Sequence, residues 1–161
     1  MKKIIFLFLI FSAIVFAEWQ YSISHNNYGV MFNEFTVFDS DTSSQLTVSI
    51  TTDIGSGYSS VTIFNEQIKN RNKYYLFLLS DTDAYTYNVF KKDIENGAIR
   101  VENTDGRRGN NLTKMLISAR AVGLLNNKTE ELLAFFDLEG LKEIIEQKLG
   151  NSDWYKNKIN E

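Results

Sequence analysis

The sequence predicts an α+β fold, mainly β: an antiparallel β-sandwich or strongly curved sheet, with two helices from the C-terminal half packed on it. Three observations predict this. Apolar residues recur with period two from Trp19 to Glu102, so successive strands bury one face. After Asn110 the apolar spacing becomes largely helical. Twelve Phe, eight Tyr and two Trp stand mostly in alternating runs, a usage that suits pleated sheet better than a helix bundle.

In chain order, Trp19, Tyr21 and Ile23 alternate with polar residues as a first strand, and Ser24-His25-Asn26-Asn27 reads as a turn. Tyr28 to Asp39 carries Tyr28, Val30 and Phe32, then Phe35 and Val37 in the opposite phase, which predicts a bulge or bend near Asn33-Glu34. Asp39 to Ser44 is a polar turn. Leu46, Val48 and Ile50 then alternate cleanly; Gly55-Ser56-Gly57 breaks the run, and Tyr58 to Phe64 resumes it. After the polar Asn70-Arg71-Asn72-Lys73, the unbroken apolar stretch Tyr74 to Leu79 marks a central or doubly covered strand. Asp81-Thr82-Asp83 closes it. Tyr85, Tyr87 and Val89 alternate next, and Glu95-Asn96-Gly97 turns into Ala98 to Glu102. The loop Asn103 to Asn110, rich in Asp, Gly and Arg, is expected to be exposed.

Asn111 can cap a helix from Leu112 to about Arg120, since its side-chain oxygen accepts from a backbone N–H that the first turn leaves free. Residues 121–137 read either as a hairpin about Asn126-Asn127-Lys128 or as a longer helix through Leu132, Leu133 and Phe136; the hairpin is preferred. Asp137 would cap a last helix from Leu138, ended by Gly150 in a left-handed conformation. The segment 151–161 is a polar tail, except for Trp154 and Tyr155, which can fold back onto the domain.

At the other end, Lys2 and Lys3 precede the apolar run Ile4 to Phe16, and Val15-Phe16-Ala17 suits a signal peptidase. Residues 1–17 are therefore expected to be a signal peptide, leaving one β-rich domain over 18–150. Thirteen apolar residues fall short of the roughly 20 that span a bilayer as a helix, so no stable membrane insertion is expected after cleavage. There is no cysteine, hence no disulfide and no lipid attached through one. Losing Lys2 and Lys3 leaves 15 basic against 20 acidic residues, a net charge of −5 that offers no electrostatic reason to bind nucleic acid or an anionic membrane. The expected location is periplasmic or secreted.

Trp19 near the start of the mature chain, the β-rich body and the run Phe136-Asp137-Leu138-Glu139-Gly140-Leu141 together resemble the exported accessory proteins of the VasI type, linked to type VI secretion. In that family an early Trp opens a β-sandwich-like domain and a Phe-Asp-Leu-x-Gly-Leu junction comes near its end. The resemblance covers the first strand and about the last thirty residues, and this chain lacks the cysteines of many such proteins. It implies a compartment and a shape, and no catalytic residue.

Chemistry-bearing residues are few. His25 is the single histidine, so a His-rich metal site is excluded and a catalytic triad would depend on one turn residue. Asp39 to Ser43 opens like a calcium loop, but Ser44 and Ile50 stand where such a loop needs Gly and a bidentate Glu. Asp81 and Asp83 would point to one side of an extended strand and could bind a cation or act as an acid–base pair, but an Asp-Thr-Asp segment between apolar runs is what a turn looks like, and turn chemistry explains it without function. Arg107 and Arg108, between Gly106 and Gly109, offer a guanidinium clamp for phosphate or carboxylate. Tyr74, Tyr75, Phe77, Tyr85 and Tyr87 form an aromatic stripe that would bind sugar or peptide if one face stayed uncovered.

The expected function is thus a non-enzymatic binding or accessory protein that contacts another envelope protein, with Arg107, Arg108, Tyr85 and Tyr87 as candidate contact residues. No catalytic residue, metal or cofactor is expected. The alternatives are a small-ligand or carbohydrate module on the Tyr-rich strands and a hydrolase using paired Asp. N-terminal sequencing of the chain recovered from outside the cytoplasm should begin at Glu18. Recovery of only uncleaved, membrane-bound chain would overturn the signal assignment.

Overall fold

The computed structural model describes residues 18–159 apart from 40, 56 and 103–105; the expected signal peptide, 1–17, lies outside the described residues. The strands are β1 (Gln20–His25), β2 (Met31–Asp39), β3 (Ser44–Thr51), β4 (Tyr58–Phe64), β5 (Tyr74–Leu79), β6 (Ala84–Asn88), β7 (Ile94–Glu95), β8 (Ala98–Val101), β9 (Ala121–Asn126) and β10 (Leu132–Asp137). Two α-helices follow the early strands, α1 (Arg107–Ile117) and α2 (Leu141–Leu149). The strands form two antiparallel sheets, in the orders β1-β2-β3-β4-β8-β7 and β10-β9-β5-β6.

Cross-strand rows of apolar side chains build the larger sheet. Phe35, Val48, Val61 and Val101 lie side by side on four strands, and Val37, Leu46, Ile63 and Ile99 form the next row. All are exposed by 1% or less, and burying each contributes on the order of 1.5–3 kcal/mol. They share one core with Leu76, Leu78, Val122, Leu124, Ala134 and Phe136 of the smaller sheet. The mainly β architecture with helices packed on it is the one the alternation predicts. β5 lies between β9 and β6, as its apolar run requires.

Asp39 ties the two sheets together. Its carboxylate accepts from the Asp41 N–H at 2.9 Å and the Thr42 hydroxyl at 2.7 Å, closing the β2–β3 turn. The same group accepts from the Phe135 N–H of β10 at 2.9 Å.

No bulge occurs near Asn33-Glu34: β2 keeps an unshifted register with both neighbours. The apparent change of phase arises because Asn33 occupies an inward site ahead of Phe35 and Val37. Its amide oxygen accepts from the Tyr21 hydroxyl at 2.8 Å and its nitrogen donates to the Ile50 carbonyl, so a polar residue stands where the apolar pattern wants a hydrophobe. His25 ends β1 rather than sitting in the following turn.

α1 begins at Arg107, not at Leu112 behind an Asn111 cap. Gly106 turns the chain at φ +69°, and the residues read as loop enter the helix because Gly109, lacking a side chain, lets it touch β4. A Cβ on Gly109 would lie 1.7 Å from the Ser59 carbonyl oxygen. Asn110, buried, accepts from the Ser59 N–H at 2.8 Å, the Ser59 hydroxyl at 3.0 Å and the Trp154 indole N–H at 2.9 Å. Gly106, Gly109 and Asn110 are therefore buried rather than exposed. The helix stops at Ile117, because the Arg120 N–H is taken by the Leu79 carbonyl and starts the β5–β9 ladder.

Residues 121–137 form the preferred hairpin, β9 and β10. α2 starts at Leu141 rather than Leu138: the Leu138 N–H continues the sheet to the Arg120 carbonyl, while the Asp137 carboxylate accepts from the Glu139 N–H within a turn that Gly140 completes at φ +85°. Gly150 is right-handed, at φ −58°, not left-handed. Trp154 and Tyr155 do fold back, buried to 1% and 5% exposure, so the end of the chain closes the core.

Gly109→Ala should destabilise the protein by about 3 kcal/mol in urea unfolding, because the added methyl overpacks the contact with β4. Alanine at an ordinary exposed helix site would instead stabilise by about 1 kcal/mol, and that result would show that the helix does not press on the strand.

Candidate functional site

Arg108 and Tyr87 are the candidate residues that the structure brings together. Tyr87 projects inward from β6, on the same side as Leu76 opposite it. Beyond β6 a short 3-10 turn, Lys91–Asp93, buries Asp93. Arg108, in the first turn of α1, reaches this carboxylate with both guanidinium nitrogens: Nη1 donates to Oδ1 at 2.8 Å and Nη2 donates to Oδ2. Nη2 also donates to the Tyr87 hydroxyl at 3.4 Å, and the guanidinium lies 4.4 Å from the centre of the Phe90 ring. The Phe90 N–H donates to the same carboxylate.

Burial pushes the Tyr87 hydroxyl above its ordinary pKa and outweighs the opposing hydrogen bond from Arg108. The hydrogen bond to Asp93 raises the guanidinium further, so Arg108 keeps its proton at any physiological pH. Arg108 alone clamps a carboxylate, and that carboxylate is the protein's own Asp93. The cluster ties α1 to the connection between the sheets.

The other candidates lie elsewhere. Tyr85 is half exposed, with its hydroxyl donating to the Asp83 carboxylate at 3.4 Å. Arg107 is exposed at the first position of α1. Asp81 pairs with Arg120 at 3.2 Å and Asp83 accepts from the Thr82 hydroxyl, so both carboxylates serve their turn. The aromatic stripe is divided by the register: Tyr75 and Phe77 face outward, whereas Tyr74, Tyr85 and Tyr87 fall on the opposite side of the sheet. The outward row continues across strands, with Leu125 opposite Tyr75 and Leu132 opposite Leu125. All four of these side chains are half-buried. β6 is the edge strand beside them.

Sequence reasoning missed one concave feature. Arg71, Asn72 and Lys73, before β5, meet Asn126, Asn127 and Lys128, at the β9–β10 turn, around a depression of 530 Å³. Tyr74 pairs with Asn126, and the Asn127 N–H donates to the Lys73 carbonyl at 2.9 Å, which holds the two turns side by side. Each segment alone reads as a polar connection. The available signal was that Lys69 to Lys73 alternates cations with Asn and contains no acid. Among the described residues, no group of three or more His, Asp or Glu side chains is arranged to hold a metal ion, and no helix is long and apolar enough to cross a membrane.

No protein-family model, curated protein or solved structure matches this chain. Gly140 lies beside Trp19: a Cβ there would stand 3.8 Å from Cδ1 of the indole.

Asp93→Asn should cost about 3 kcal/mol in chemical unfolding, since Arg108 loses its counter-charge while mostly buried. Adding Arg108→Met should recover at least half of that loss, because the asparagine oxygen still accepts from Phe90 and no charge is left over. Additive losses in the double variant would show that the two residues do not act as a pair.

Proposed function

We propose that the chain is an exported, non-enzymatic binding or accessory protein of the cell envelope, which meets another envelope protein through its smaller sheet. The observation carrying this reading is the outward row Tyr75, Phe77, Leu125 and Leu132, apolar side chains set outside the core beside the edge strand β6. Sheet edges pair readily with a further strand, and β6 (Ala84-Tyr85-Thr86-Tyr87-Asn88) carries none of the charges or prolines that discourage pairing. Tyr85 and the half-buried Tyr87 would flank such a strand, and both have the amphipathic character that interfaces favour.

Export is inferred from the leader-like residues 1–17, and the narrower role in secretion rests on the VasI-type resemblance alone. The Tyr-rich strands give less support to a carbohydrate platform, since their rings are split between two faces.

A photo-activatable residue placed singly at Phe77, Tyr85 or Leu132 should yield one recurrent adduct in the native envelope. The same probe at Tyr28, which is 91% exposed in the β1–β2 turn, should not. No adduct at any of the three, or the same adduct from Tyr28, would overturn the reading.

A further inference from the structure

The depression between the β4–β5 connection and the β9–β10 turn is lined by Arg71, Lys73 and Lys128 with three asparagines, and no acidic residue lines it. None of the three cations forms an ion pair with another described residue, unlike Arg108 with Asp93 and Arg120 with Asp81. Glu130 and Glu131 follow in the same turn without joining the lining. In a chain of net charge −3, three uncompensated cations facing one hollow form a local field opposite in sign to the whole.

The Asn126 amide strengthens that bias. The Asn126 side-chain oxygen accepts from the Lys128 N–H at 3.0 Å and the Thr129 N–H at 3.4 Å, so the end it can offer a ligand is the donor NH2. A neutral sugar needs acceptors and donors in balance, and here the donors of Arg71, Lys73, Lys128 and Asn126 outnumber the acceptor oxygens of Asn72, whose nitrogen is taken by the Tyr74 hydroxyl, and Asn127. A planar carboxylate is satisfied by one guanidinium. A phosphate group has three or more oxygens pointing in different directions, matching donors that arrive from two separate turns.

We propose that this depression binds a phosphate-bearing anion, either free or as the headgroup of an envelope lipid. Its volume lies within the roughly 300–1,000 Å³ of small-molecule sites. Because the attraction is between exposed charges, affinity should fall with added salt. The proposal does not depend on the partner surface of the smaller sheet, and its test uses different positions.

The exported chain, in phosphate-free chloride buffer, is titrated calorimetrically with inorganic pyrophosphate, and separately sedimented with phosphatidylcholine vesicles with or without 20% phosphatidic acid. Saturable pyrophosphate binding that weakens at least tenfold in Lys73→Gln/Lys128→Gln, and less than twofold in Lys91→Gln/Lys92→Gln, is the expected result. Phosphatidic-acid-dependent sedimentation lost in the first double variant and displaced by pyrophosphate would identify a lipid headgroup as the source. Pyrophosphate binding without sedimentation would identify a free anion. No saturable binding in either arm, or equal losses in the two double variants, would overturn the proposal. All substituted lysines are exposed or half-exposed at turns, so unchanged thermal midpoints will confirm that folding is intact.

Discussion

The amide oxygen of Asn110 is where three separate parts of the chain are joined. β8 ends opposite Val61, so the Ser59 N–H of β4 has no strand partner on that side, and an unpaired buried N–H would cost about 1–3 kcal/mol. Asn110 accepts that proton, the Ser59 hydroxyl and the Trp154 indole N–H on one oxygen. Sheet, helix and C-terminal segment thus meet at a single acceptor. The close approach that makes this possible needs Gly109 against the Ser59 carbonyl and Gly57 beneath Trp154, where a Cβ would lie 2.8 Å from that of the tryptophan. The consequence is architectural: with α1 held against β4, its Leu112 and Leu116 join the core that the two sheets share.

A second set of polar ties fixes the smaller sheet, and through it the surfaces available to other molecules. Asp39 links the β2–β3 turn to β10, while Asp93 and Arg108 link the approach to β7 to α1. Both carboxylates are buried and fully engaged, which is why they act as fasteners and not as reactive groups. Between these ties the register of β5, β6, β9 and β10 decides which rings face the core. Tyr75 and Phe77 are pushed outward because Tyr74, Leu76 and Leu78 are needed inside.

Strands were legible because period two over a half-buried sheet leaves a strong mark, and the hairpin of β9 and β10 because Asn126-Asn127-Lys128 is turn chemistry. Helix boundaries were not. Gly109 and Asn110 are poor helix formers, and the local sequence around Arg107 reads as loop; what overrides it is contact with Ser59, about fifty residues away in sequence. Asn33 misled for the same reason, since its hydrogen bonds to Tyr21 and Ile50 are tertiary. Of the candidate contacts, the affinity of Arg108 for a carboxylate was readable from residue type. That the carboxylate would be Asp93 was not, because a lone acid in Lys91-Lys92-Asp93-Ile94 looks like an ordinary turn.

The two basic features of the molecule differ in one physical respect. Arg108 is bound by two hydrogen bonds to a buried acid and stacked on Phe90, so its charge is neutralised within the fold and it has little left to offer a ligand. Arg71, Lys73 and Lys128 are held near one another by backbone pairing that takes no account of their charge: Tyr74 beside Asn126, and Asn127 beside Lys73. Such a juxtaposition places three like charges around one depression with no acid among its lining residues. Folding gains nothing from it, since like charges within a Debye length repel. An anion seated in the depression would touch all three cations at once and relieve that repulsion, which is the physical basis of the proposed phosphate site.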